Sequence, residues 1–444
     1  MRKSIYVLIL LIMIVGAWLV SRIWIFEPGI SSDSEVVQEP VTEQEPDPEP
    51  EPVFEPEPEP DTGDEDYSLA EQDAAEELAL RRNAVLEESR LLFRGYFYDE
   101  AIELLNADET LIDHETQTLQ AQIIEARNGL VRFDGDIKHI SFRSLILDPA
   151  HLISDSNDRT DTFNEGFVYQ SELFRLLPQL LERGYVLYNV NEIFNKGADG
   201  SMRRNAIYLP RGKRPLILSV IDPSYRHGIG FANRVILDEH GELATEVITP
   251  AGETLITYDG DVHLVVDAFV QENPEFSYRG SKGIIATTGH LGIFGYDLLT
   301  DGSVQDAIAI SNMFKENGWL FANHSYTHNR VGFWGPESNP DNISFDVKRW
   351  REAIEPVVGS TNIFVAPFGF LLSGEGMQVI IDNGYDIYCT ADISQAITVN
   401  NTHVIMGRME IGGYTLARHA DILNRDFFDV ASVIDPHRPP IASR

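Results

Sequence analysis

The sequence predicts an α/β fold built on a mostly parallel sheet, open or closed. Three observations carry this reading. Short β-branched and aromatic runs alternate with amphipathic helical segments from about Arg132 to Arg444. Glycines close two of the helices, at Gly184 and Gly318. That stretch is long for one domain but suits a barrel. Three further regions precede it: residues 1–28, 29–67 and 68–131.

Residues 1–28 read as a transmembrane anchor. Arg2 and Lys3 precede the apolar run Ile5 to Val20, which Ser21 and Arg22 interrupt and Ile23-Trp24-Ile25-Phe26 resumes. A secretory signal peptide has a similar charged start and apolar middle. No small-x-small cleavage site follows, and Trp18, Trp24 and Phe26 suit an interfacial belt. The expectation is a single-pass anchor in the cell membrane, with the carboxyl-terminal part extracytoplasmic.

Residues 29–67 form a Glu/Pro-rich linker with the runs Glu49-Pro50-Glu51-Pro52 and Glu55-Pro56-Glu57-Pro58-Glu59-Pro60. Ser31 to Ala70 contains 15 acidic residues and no Lys or Arg. Proline stiffens such a chain, like charges extend it, and it has too little apolar surface to form a core. It reads as a disordered, solvated spacer.

The formal net charge is −36. A body this acidic is a poor partner for nucleic acid or for anionic headgroups. Cys389 is the only cysteine, so no disulfide forms within the chain.

Residues 68–131 read as a helical hairpin or stalk, rich in Ala, Leu, Glu and Arg. Phe93 to Leu105 resembles the turn and second helix of a tetratricopeptide hairpin. One such unit makes no array, since stacking needs about three repeats. It reads as a unit that packs on the main domain, and a protein partner binding there is an alternative role.

The main region, 132–444, is then read in order. Ile140 to Ile146 is a strand, Gln170 to Arg183 an amphipathic helix and Tyr185 to Tyr188 a strand. Leu216 to Val220 is a buried strand, Val262 to Glu272 a helix and Gly283 to Thr287 a strand. Val304 to Asn317 is a helix, followed by the apolar run Trp319 to Ala322. Ile363 to Ala366 and Asp386 to Cys389 complete the rhythm.

In such folds chemistry gathers where strands end. Leu216 to Val220 runs into Asp222, and Trp319 to Ala322 runs into His324 and His328. A helical turn there would stack the two imidazoles on one face. A pair of histidines at this spacing is more often structural, and a lone Asp before Pro223 is more often a turn cap. Together, one carboxylate and two imidazoles make a three-ligand set that leaves metal positions open for water and substrate. Ile363 to Ala366 runs into Pro367-Phe368-Gly369, which alone would be an ordinary turn.

These residues resemble the motifs of the polysaccharide deacetylase family, the NodB homology domain. Leu218-Ser219-Val220-Ile221-Asp222 is similar to its Thr-Phe-Asp-Asp-Gly motif. His324-Ser325-Tyr326-Thr327-His328 is similar to its histidine motif, and Val365-Ala366-Pro367-Phe368 to its Arg-x-Pro-Tyr motif. The resemblance is to a divergent extracytoplasmic bacterial branch and spans about Lys138 to Pro440. It implies a distorted (β/α) barrel and metal-dependent removal of acetyl groups from a cell-wall or exopolysaccharide glycan. It also implies a divalent metal, zinc by ligand softness, on Asp222, His324 and His328. Tyr225, Pro367 and Phe368 would wall the substrate groove. Asp392 would fall near the carboxylate that orients a catalytic acid.

Two departures stand out. Ile221 occupies the family's general-base position, and Val365 that of the arginine that orients the base. Losing both removes a whole ion pair, which avoids the roughly 3–5 kcal/mol cost of leaving one charge buried and unpaired. The family's acidic-histidine motif is also missing; His403 and Glu410 are nearby without matching context, and the plain reading of each is a solvated loop residue. The resemblance therefore implies either a hydrolase with an altered proton-transfer group or a non-catalytic glycan-binding or partner-recruiting protein of the envelope.

Overall fold

A computed structural model describes residues 63–152, 160–298 and 301–441. The expected membrane anchor, and nearly all of the acidic linker, lie outside these residues. Among the described residues no helix is long and apolar enough to cross a membrane.

The main sheet has ten strands. Its path runs Ile397–Val399, Val404–Gly407, Ile387–Thr390, Ile363–Val365, Leu320–Asn323, Ile284–Thr287, Arg214–Ile221, Lys138–Phe142, Met409–Glu410, and Tyr185–Leu187 also pairs with Arg214–Ile221. All these pairings are parallel except that of Ile397–Val399. Val404–Gly407 and Met409–Glu410 lie at distant places on the path, yet Arg408 alone separates them in the chain. The sheet therefore curls until one bent segment borders both of its ends.

Alternation along each strand divides the apolar residues between two layers. Leu216, Leu218 and Val220 face outward into the layer shared with the helices, while Ile217 and Ile221 belong to the interior cluster. Ile284, Ala286, Ala322, Ile363, Val365, Ile387, Cys389, Val404 and Met406 fill the same interior. Polar groups interrupt it on one side: buried His139 places Nε2 3.0 Å from Ser219 Oγ.

The strands and helices read from the sequence are present with ends shifted by a few residues. Lys138–Phe142 is shorter than the expected strand, and Ile146 contributes only an isolated bridge to Tyr169. The helix Val262–Glu272 has the expected bounds. The insert after Gly228 is an antiparallel ribbon, Arg234–Leu237, Leu243–Ile248 and Thr254–Thr257. One expectation is corrected here. The chain does not turn helical at the histidine pair; the strand stops at Asn323 and an irregular loop follows, with positive φ at Ser325 and His328.

Three α-helices, Gly63–Arg94, Tyr98–Leu105 and His114–Asn128, occupy the amino-terminal helical stretch. Asp113 begins the last with a capping box. Leu86, Tyr96, Tyr98, Ala101 and Ile123 form a core with Val186 and Tyr278 of the barrel region. Arg94 pairs with Glu275 at 2.8 Å across the same contact. At the other terminus Arg438 is buried and bidentate on buried Glu172, at 2.6 and 2.8 Å, with its guanidinium 3.9 Å from the Tyr169 ring centroid. Planar pairing of this kind fixes direction as well as charge, and it ties the final segment to Gln170–Glu182.

Candidate active site

Asp222 follows the strand Arg214–Ile221, and His324 follows Leu320–Asn323. Arg143 follows Lys138–Phe142, and Arg408 lies between Val404–Gly407 and Met409–Glu410. All stand at the carboxyl ends of parallel strands, where an α/β fold gathers function. One pocket of about 70 Å³ is lined by Arg143, Phe167, Ile221, Asp222, His227, His324, His328, Phe368, Arg408 and Glu410. Typical sites for whole small ligands hold about 300–1,000 Å³. This pocket suits a substituent of a larger molecule. A cleft of about 390 Å³, with Leu320 and Ile363 in its lining, lies at the opposite ends of the strands and carries no histidine.

The loop after Asn323 is shaped by Asp346, a fully buried residue of the helix Pro340–Ala353. Its carboxylate accepts from Ser325 Oγ at 2.9 Å, the Tyr326 and Thr327 amides at 2.8 and 2.9 Å, and Thr327 Oγ1 at 2.6 Å. Ser325 Oγ in turn accepts from the His328 amide at 2.9 Å. Nothing in the local sequence around the histidines announces this partner. The available signal was an Asp on the inner face of an amphipathic helix.

His324 is 2% exposed, and its Nδ1 lies 2.6 Å from the Val365 carbonyl. A carbonyl only accepts, so Nδ1 carries the proton and Nε2 keeps its lone pair. Burial first, then His328 and Arg408, hold this imidazole neutral with a pKa well below the usual histidine value. The His328 ring lies 5.1 Å away between centroids. Burial lowers its pKa too, against an opposing pull from Asp222. Asp222 Oδ1 accepts from Thr288 Oγ1 at 2.7 Å, and its amide donates to Ala286 O at 2.9 Å.

Asp222, Ser325, His328 and Phe368 all have positive φ, at 53°, 74°, 45° and 57°. Such backbone costs about 1–3 kcal/mol per residue and persists where the surroundings impose it. Asp222, His328 and Phe368 line one pocket, while Ser325 turns its hydroxyl to Asp346. Phe368 is half exposed, and its ring lies 4.6 Å from that of His328.

Asp222, His324 and His328 thus line a single pocket, with Ile221 beside them. Among the described residues, however, no group of three or more His, Cys, Asp or Glu side chains stands together as a formed metal cage. The donor types fit a divalent cation, and the Nδ1 bond of His324 leaves its other nitrogen as a donor, the usual arrangement of a ligating histidine. Closing a cage would require rotation of these side chains.

The other expected residues are dispersed. Tyr225 does not wall the pocket: it is 5% exposed, and its hydroxyl lies 3.1 Å from His263 Nε2. Pro367 is buried beneath Phe368 in a short 3₁₀ turn. Asp392 accepts from the Ser394 amide and hydroxyl at 2.9 and 2.7 Å and does not line the pocket. His403 contacts Asn400 and Thr402. Glu410 is corrected: it is a pocket residue, paired with Arg143 at 2.7 Å, and not a solvated loop residue.

Arg143 and Arg408 were missed altogether. Arg408 is 1% exposed and donates to the Cys389 and Ala366 carbonyls at 3.2 and 3.4 Å, long bonds that leave Nε without a partner.

No protein-family model matches the chain, and no curated protein matches it. Solved structures similar to it include a deacetylase, PplD, from Streptococcus pyogenes in complex with acetate, with 11% identity and a TM-score of 0.38 over 64% of this chain and 94% of that one. IcaB from Ammonifex degensii has 12% identity and a TM-score of 0.37 over 63% and 94%. A de-N-acetylase from Aggregatibacter actinomycetemcomitans has 11% and 0.36 over 62% and 95%. Likeness at this level carries no conclusion about activity.

Proposed function

We propose that this protein is a hydrolase of acetyl groups on a cell-wall or exopolysaccharide glycan, held at the membrane by its first 28 residues. The observation that carries the reading is the single pocket lined by Asp222, His324 and His328 at the carboxyl ends of two parallel strands. Its size admits a substituent such as acetyl, while the polymer lies outside against half-exposed Phe368. A divalent metal, with zinc favoured by the donor set, would be held by Asp222, His324 and His328 and would polarise the acetyl carbonyl and acidify water. His324 is oriented for this by the Val365 carbonyl, and Asp222 by Thr288.

A second reading is a glycan-binding protein without turnover. Ile221 favours it, because that side chain lines the pocket and transfers no proton. One experiment separates the two. The full-length chain is loaded with zinc or cobalt, its metal content is measured, and acetate release is followed from acetylated oligosaccharides. About one metal equivalent and steady acetate release are expected, both lost in the double variant His324→Ala, His328→Ala. Metal and glycan binding without acetate would favour the second reading. Metal content unchanged in the double variant would reject the three ligands. Protease applied to intact cells should remove the barrel, testing the outward placement expected from Arg2 and Lys3 ahead of the apolar run.

A further inference from the structure

We propose that Glu410 is the proton-transfer residue of this pocket, with Arg143 as its positioning residue; the proposal rests on the acetyl-hydrolase reading above. Five lining residues can exchange a proton: Asp222, His227, His324, His328 and Glu410. Asp222 and His328 belong to the ligand set. His324 has its proton committed to the Val365 carbonyl. His227 lies among the rings of Phe163, Phe167 and Phe231, with centroids 6.3, 5.0 and 4.9 Å away. Glu410 is the one lining carboxylate outside the ligand set.

Its setting suits the role. Glu410 pairs in register with Ser141 on the last strand, one residue beyond the bend at Arg408 and Met409. Its side chain is 26% exposed, so substrate can reach it without unfolding the barrel. Arg143 Nε engages one carboxylate oxygen, Oε1. The same guanidinium carbon lies 5.5 Å from the Phe167 ring centroid, a second contact for a side chain that is 41% exposed. The carboxylate is therefore paired with a cation that also meets the pocket wall, on a strand adjoining the pocket.

The step balances with water as the only co-reactant. Water oxygen bonds to the acetyl carbonyl carbon while one water proton passes to the Glu410 carboxylate. The adduct then breaks its bond to the sugar oxygen or nitrogen, which takes that proton from Glu410. Acetic acid and a free hydroxyl or amine leave, and Glu410 is again a carboxylate. Ile221, next to Asp222, cannot serve either half of this exchange.

The test compares wild type, Glu410→Gln and Glu410→Asp as full-length, metal-loaded proteins. Glutamine keeps the shape and the acceptor oxygen for Arg143. On an acetylated oligosaccharide, Glu410→Gln should lower kcat by about 10²- to 10⁴-fold, the usual contribution of a positioned acid or base. On 4-nitrophenyl acetate, whose leaving group needs no proton, the loss should be smaller. Glu410→Asp should recover part of the rate lost in Glu410→Gln. A purely structural role would lower both substrates alike, which would overturn the proposal. So would a Glu410→Gln rate within about threefold of wild type. If that variant does not fold, Glu410→Asp decides: equal losses on the oligosaccharide and on 4-nitrophenyl acetate overturn it. No turnover by metal-loaded wild type would instead reject the hydrolase reading itself, and this proposal with it.

Discussion

The pocket has two unlike walls. On one side Ile221 lines it above an interior of Val365, Ala286 and Ala322, all apolar. On the other, Arg143, Glu410 and Arg408 bring two cations and a carboxylate from strands near the two ends of the curled sheet. The apolar wall holds no charge that would need a buried partner. The charged wall keeps a carboxylate–guanidinium pair at 2.7 Å. The difference teaches that one pocket can draw apolar and charged groups from different strands of the same sheet.

The largest expected effect comes from charging the apolar wall. Val365→Arg would bury a second guanidinium in an interior that Arg408 already borders, at a cost of about 3–5 kcal/mol. Ile221→Asp should cost less, because Arg408 lines the same pocket and has an unpartnered Nε. The double variant should be less damaged than the sum, by about 0.5–3 kcal/mol. Chemical denaturation of the four proteins measures this. Equal single losses would show that Arg408 cannot turn toward position 221.

Next in size is the loop between the walls. Asp346→Asn replaces an acceptor of four bonds with an amide whose NH₂ faces donors, and should cost about 1–3 kcal/mol for the group left unsatisfied. Metal affinity should weaken with it, since this loop carries His324 and His328. A variant that melts lower yet binds metal as tightly as wild type would uncouple the loop from the site.

A pH dependence should come from two buried histidines. Burial, and then Arg408, push His139 down to about 3, and burial does the same to His263. Their folded pKa lies below the unfolded value, so the unfolded chain binds more protons. Stability should therefore fall as pH drops from about 6.5 toward 3, by about 1.4 kcal/mol per pH unit for each histidine. Asp261, pushed up to about 6 mainly by burial, acts oppositely and offsets one histidine between about pH 6 and 4. Unfolding measured from pH 7 to 4 should show a net loss, flattened in His139→Asn. An unchanged slope in that variant would mean His139 is not the source.

Much of the barrel was legible because its strands are short apolar runs between amphipathic helices. Leu216 to Val220 and Val262 to Glu272 declare their period within a dozen residues. The closing segment was not legible. Val404 to Glu410 is split by Arg408, and no local pattern says that its two halves join different parts of one sheet. The same gap hid the charged wall and made Glu410 look like a loop residue.

By itself the sequence determined the alternation of strands and helices, the positions of Asp222, His324 and His328 at strand ends, and the apolar character of positions 221 and 365. These are local properties, fixed by periodicity and residue type. Only the tertiary structure decided that Asp346 shapes the histidine loop, that Tyr225 turns inward to His263, and that Arg143 and Glu410 share the pocket. Each depends on contacts between residues tens to hundreds of positions apart. Helices packed on the sheet and the pairing of its strands create those contacts, and no local stretch of chain encodes them.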